Sequence, residues 1–259
     1  MAEFEAVRRP GVGAGVRTAA YDEGLRAHMS KVYGTMAVGM VITALAAWAV
    51  AGLSVSSVPT EYMIGDGKYL TSFGVAIYAS PLKWLIMFAP LLFVFGLSAG
   101  ITRMSAGAAQ IAFYAFAAVM GLSISSIFLV FTGLSIVQVF LVTAIAFAAL
   151  SLWGYTTKRD MSGWGTFLFM GLIGVVVASI VNIFLGSPAL MFAVSAIGVL
   201  VFAGLTAYDT QRLRNEYLQL AGTQGEAYLG HAAILGALSL YLNFINMFMM
   251  LLSLFGNRN

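Results

Sequence analysis

The chain has 259 residues, of which 61% are hydrophobic and only 9% charged, with a formal net charge of +3. A soluble domain carries roughly 25% charged residues, so this balance excludes one and points to an integral membrane protein. Cysteine is absent, which excludes disulfides and thiolate metal sites. The excess of Lys and Arg lies outside the apolar runs, where it reports membrane topology and not nucleic-acid binding.

Residues 1–33 are polar and of mixed charge. They read as a cytoplasmic, flexible tail ahead of a transmembrane domain over 34–259. No short apolar core lies near the N-terminus, so a signal peptide is not expected. Gly11, Gly13 and Gly15 follow no strand, which argues against a phosphate loop.

A helix needs about 20 apolar residues to cross the hydrocarbon core. Seven runs qualify: 34–53, 84–101, 109–131, 136–155, 164–185, 189–208 and 232–255. Pro90 predicts a kink in the second. Polar segments separate the runs, the longest being 54–80, with Pro59, Asp66 and Gly67, and 211–230, which reads as amphipathic. With seven crossings and the N-terminus inside, Arg8, Arg9, Arg17, Arg26, Lys31, Arg103, Lys158, Arg159, Arg212 and Arg214 all fall in the cytoplasm. Only Lys68, Lys83 and Arg258 fall outside. That asymmetry predicts N-terminus in and C-terminus out.

Small residues one turn apart mark close helix packing: Gly121 with Ser125, Ala144 with Ala148, and Gly174 with Ala178. Asn182 continues the last stripe as its polar member. The two histidines, His28 and His231, lie far apart, and no nucleophile–base pair or metal cluster presents itself. The chain is therefore not expected to be an enzyme or to hold a cofactor.

The sixth run ends in Ala207-Tyr208-Asp209-Thr210-Gln211-Arg212. An Asp at the centre of a membrane helix costs roughly 2.5–3.5 kcal/mol and less near its end. Asp209 is either a solvated helix-end residue beside Arg212 and Arg214, or a buried acid that needs a partner. Its helix face otherwise carries Gly198, Phe202 and Leu205. On the seventh run Gly236, Ser239, Asn243, Asn246 and Ser253 share a stripe that should face the bundle interior. Ordinary interhelical hydrogen bonding explains such a stripe as well, at about 0.6 kcal/mol per bond. At 1.5 Å per residue, Asn243 reaches the depth of Asp209 if the sixth helix continues about two turns to Tyr217. Arg103, at the inner end of the second run, either pairs with Asp209 or snorkels to the headgroups.

Phe202-Ala-Gly-Leu-Thr-Ala-Tyr-Asp-Thr-Gln211 and Leu238-Ser-Leu-Tyr-Leu-Asn-Phe-Ile-Asn246 resemble the Bax inhibitor-1 (transmembrane BAX inhibitor motif) family, its bacterial members in particular. The lead Leu25-Arg26-Ala27 to Lys31-Val32-Tyr33 and the ending Leu254-Phe255-Gly256-Asn257-Arg258 extend the resemblance over nearly the whole chain. It implies an all-α membrane fold, six helices around a central seventh, in the bacterial inner membrane. It also implies a pH-controlled calcium leak, closed on the cytoplasmic side by two aspartates on the last two helices and an arginine from the second. Asp209 matches the first aspartate and Arg103 the arginine, while the second aspartate falls at Asn243. By their spacing, and not by the resemblance, Ser239, Asn246 and Asn182 are expected as pore-lining or polar-stripe positions.

One carboxylate in place of two predicts pH gating that is weaker, or shifted to lower pH, than in a di-aspartate relative. It also predicts only weak, transient calcium binding at Asp209, because Ca²⁺ takes six to eight oxygens. The alternative is an interaction protein that modulates a membrane-bound ATP-dependent protease or a stress or cell-death response without transport, its polar tail serving as the handle. Membrane lipids are expected partners in either case.

Overall fold

A computed structural model describes residues 12–65, 67–100, 103–221 and 225–258. The first helix, α1 (Val12–Ser54), is 43 residues long. Leu25, Met29, Val32 and Met36 are buried at steps of one turn, so its apolar face starts well before the first membrane-length run. The segment expected to be a flexible tail is thus helical from Val12 and packed into the core from Leu25; residues 1–11 lie outside the described residues.

The polar stretch after α1 holds a small antiparallel sheet of β1 (Val55–Ser56), β2 (Met63–Gly65) and β3 (Lys68–Leu70), in the order β1-β3-β2. Gly65 and Gly67 take φ of 133° and 70° in the β2–β3 turn, a region open to glycine and costly for other residues. Next come α2 (Ser72–Gly74), one turn of π-helix (Val75–Ala79) and α3 (Leu82–Gly100). The two halves meet at 65°. Ser80 is extended there, as the residue before a proline prefers to be. The sharp bend therefore sits at Ser80-Pro81, whereas Pro90, where the kink was expected, lies inside α3.

The chain continues as α4 (Ala106–Ile124), α5 (Ile127–Val130), α6 (Gly133–Thr156), α7 (Trp164–Leu185), α8 (Pro188–Leu220) and α9 (Glu226–Phe255). Ser105, Thr132 and Ser187 cap α4, α6 and α8 by accepting from Ala108, Ser135 and Leu190 N–H groups, which satisfies donors the first turn leaves free. Gly186 closes α7 in the left-handed conformation. Among the described residues six helices are long and apolar enough to cross a membrane, or seven if the bent pair forms one span.

Hydrogen bonds tie the connections together at both ends of the bundle. At one, Gln211 Nε2 donates to Arg159 O at 2.8 Å, the Met161 N–H donates to Gln211 Oε1 at 2.9 Å, and His231 Nε2 lies 2.7 Å from Met104 O. At the other, the Thr132 N–H donates to Asn257 O at 3.0 Å, and the Asn257 N–H donates to Ser135 Oγ at 2.9 Å.

Packing is centred on α9. It lies against α1, α4, α6 and α8, and 61% of its most apolar window is buried, against 11% for α7. Tyr241, in its middle, is fully buried and lies edge-on to Phe113 and Phe116, with centroids 5.5 and 5.7 Å away. Its hydroxyl meets Thr43 Oγ1 at 2.5 Å, and Thr43 in turn donates to Ala117 O at 2.8 Å. Since Thr43 has one proton, Tyr241 is the donor to it. This relay ties α9, α1 and α4 together.

Candidate functional site: a buried carboxylate between α8 and α9

α8 runs 33 residues and does not stop at the end of its apolar run. It continues for 11 residues past Asp209, about three turns, so Asp209 lies within the helix and cannot act as a cap. Its side chain turns inward and is only 6% exposed. The solvated helix-end position is not the one Asp209 adopts.

Each carboxylate oxygen has its own partner. Asn243 Nδ2 donates to Oδ2 at 2.8 Å, and Arg212 Nη2 lies 3.0 Å from Oδ1. Arg212 follows Asp209 by three residues, a spacing that places two side chains on one helix face. Its head is about half exposed. It also reaches Ser239 Oγ on α9, at 3.4 Å, and lies 6.0 Å from the Tyr208 ring centroid. Beside the pair, Thr210 donates to Thr206 O at 2.8 Å and meets the Tyr33 hydroxyl of α1 at 3.3 Å. A buried charge is tolerable when paired and hydrogen-bonded, and this carboxylate is both.

The structure brings together Asp209, Asn243 and Ser239 of the residues singled out in the sequence. It does not bring Arg103. α3 ends at Gly100, and Arg103 is exposed in the α3–α4 connection, with no ion pair to Asp209 among the described residues. The cation is Arg212. Its signal was the i, i+3 spacing, which the apparent end of the apolar run concealed. Asn246 donates to Leu242 O of its own helix at 2.8 Å. Asn182 Oδ1 accepts from the Ser187 N–H at 3.0 Å and so braces the α7–α8 turn, away from Asp209. The Tyr241–Thr43 relay was missed because its members lie 198 residues apart.

Two cavities flank Arg212. One, of about 360 Å³, is lined by Asp160, Ser162, Tyr208, Gln211, Asn215 and Gln219; the other, of about 440 Å³, by Val94, Leu213, Leu238, Ser239 and Leu242. Arg212 and Glu216 line both. In the first, Ser162 donates to Asp160 through its N–H at 2.9 Å and its hydroxyl at 2.8 Å. Those two bonds hold the Asp160 carboxyl below its usual range. As a cation site Asp209 is sparse: both its oxygens are engaged, against the six to eight that Ca²⁺ takes. Among the described residues no three His, Asp or Glu side chains gather where they could hold a metal ion.

Long apolar helices around a buried carboxylate and a central α9 define a multi-pass integral membrane protein. The family model described as inhibitor of apoptosis-promoting Bax1 matches residues 25–259, from Leu25, itself a buried residue of α1. The chain is 48% identical over 235 residues to the inner membrane protein YbhL of Escherichia coli, covering 91% of this chain and 93% of that one. It is 43% identical to a protein of Caulobacter vibrioides, covering 91% and 90%, and 40% identical to one of Rickettsia prowazekii, covering 92% of each. The chain belongs to the Bax inhibitor family. It is a multi-pass bacterial inner membrane protein.

Proposed function

We propose that the chain is a pH-sensitive calcium leak channel, closed on its cytoplasmic side by Asp209, Asn243 and Arg212. The bent pair counts as one span in this reading, so the chain crosses seven times, six spans around α9, with its N-terminus inside and its C-terminus outside. The observation that carries the proposal is the position of Arg212, paired with a buried carboxylate and standing between two cavities. Protonating Asp209 removes the charge that holds Arg212 across the mouth. The ordinary role for such a pair is helix packing; the open grooves on either side of Arg212 are what favour the gate reading. Calcium is the passing ion and not a resident cofactor, and no enzymatic step is assigned.

The test is calcium uptake into liposomes against external pH. Asp209→Asn should give flux without pH dependence. Asn243→Asp supplies a second carboxylate close to the first, and such pairs titrate as a unit, so its flux curve should steepen or move to higher pH. No uptake in any form at any pH would overturn the channel reading.

The family description, which names an inhibitor of apoptosis-promoting Bax1, favours a second reading: an interaction protein acting on a membrane-bound ATP-dependent protease or a stress or cell-death response. Its handle cannot be the whole of 1–33, because Leu25, Met29 and Val32 belong to the core. Removing residues 1–11 discriminates the two, since flux should survive and protease recognition should not.

A further inference from the structure

α1 and α6 both pack on α8 and α9 but barely on each other. A seam is left between them. At its basic end it opens into a groove of about 790 Å³ lined by Arg26, Ser30 and Tyr33 of α1 and by Phe147, Ser151 and Tyr155 of α6. Farther along, the same two helices and α9, joined by Ile124 of α4 and Ile127 and Phe128 of α5, line an apolar groove of about 370 Å³ past Met40, Ala44 and Phe140. The seam is thus polar and basic at one end and hydrocarbon-like beyond.

Two observations say what fills it. Arg26 is exposed and has no ion pair among the described residues, although it lines a groove that also carries the hydroxyls of Ser30, Tyr33, Ser151 and Tyr155. Arg214, 5.8 Å from the Tyr155 ring centroid, adds a second cation at the rim. Independently, Ser151 Oγ is the one buried side-chain polar atom without a hydrogen-bond partner among the described residues. Thr143, Ser179, Thr206 and Thr210 all donate to the carbonyl one turn back. Ser151, 94% buried by its 6% exposure, does not. A buried hydroxyl left without a partner is costly, and here it lines a groove.

We infer that the α1–α6 seam holds one anionic phospholipid, its phosphate on Arg26 and its ester region against Ser151. The dimensions agree. One leaflet of hydrocarbon is about 15 Å, half the core, which is ten residues of helix, the distance along α1 from Ser30 to Met40. Basic pockets between membrane helices take lipid headgroups in this way.

The test is native mass spectrometry of the full chain in neutral detergent with equal amounts of phosphatidylglycerol and phosphatidylcholine. One phosphatidylglycerol should be retained, roughly fivefold more than phosphatidylcholine, the factor one basic residue near an anionic surface contributes. Arg26→Gln should abolish that preference, Ala148→Trp should fill the groove and lower the occupancy of both lipids, and Arg258→Gln, at the other end of the bundle, should change neither. Thermal midpoints of the variants check folding; Arg26→Gln alters only an exposed side chain and stands if Ala148→Trp does not fold. Unchanged phosphatidylglycerol retention in Arg26→Gln would overturn the inference. So would displacement of the lipid by inorganic phosphate alone, which would make this a free-anion site.

Discussion

Two buried polar networks meet on α9, and they differ in kind. At Tyr241 every group is neutral, every proton has an acceptor, and aromatic edges fill the space around it. Two residues along α9 from that packing centre, Asn243 faces a carboxylate whose other oxygen holds a half-exposed arginine between two grooves. The first network joins three helices with nothing left over. The second contains a charge that a proton can cancel and open space on either side into which its arginine can move. Polarity inside a membrane bundle is therefore no sign of a moving part by itself; removable charge beside free volume is.

Breaking the neutral network should have the largest effect. Tyr241→Ala removes a fully buried aromatic side chain, a class of change that costs about 3–5 kcal/mol, and should lower the thermal midpoint by far more than any change at Asp209. Tyr241→Phe, which keeps the ring, should cost only about 0.6 kcal/mol, the mean for a hydrogen bond between membrane helices. Next in size is Gly154→Ala. A Cβ there would lie 2.9 Å from Ala207 Cα and closer still to Ala207 O, so α6 and α8 must separate. Overpacking of this kind costs about 1–3 kcal/mol, read as a fall in thermal midpoint.

The charged network should yield less stability and more function. Arg212→Gln leaves Asp209 with Asn243 alone; because Arg212 is half exposed, solvent screens the pair and the loss should be near 1 kcal/mol. Its pH–flux curve should nevertheless change. Arg103→Gln, at an exposed position, should stay within about 0.5 kcal/mol of the parent with an unaltered curve. A reversed order between these two would return the gate to Arg103. The smallest effect belongs to Ser162→Ala, which removes one of the two bonds to Asp160. The Asp160 carboxyl should move up toward the ordinary value of about 3.9, seen by NMR titration. Its folded value lies below that one, so whatever stability it contributes is present above the ordinary value and lost as pH falls through the folded one; Ser162→Ala should narrow that window.

Much of this site was legible in the sequence because helical periodicity is strict. The stripe through Ser239 and Asn243 places both on one face, and the depth reckoning required α8 to extend past Asp209, as it does to Leu220. Arg212 was legible in principle from its spacing but was assigned to solvent, because hydropathy reports where a run stops and not where a helix stops. Strands of two or three residues carry no alternation long enough to read. Asn182 was legible as the polar member of a small-residue stripe, whereas its partner, the N–H of Ser187 in the turn beside it, was not.

Composition and the seven apolar runs by themselves determined that this chain lives in a membrane as helices, since lipid leaves backbone groups no other partner. The Tyr-Asp-Thr-Gln stretch, read with the sequences flanking it, determined the family. Which cation meets Asp209, where the second span breaks, and which hydroxyl is left facing a lipid seam were decided only by tertiary structure. Those are questions of distance between helices, and periodicity orders residues around one axis without saying how far away the next axis lies.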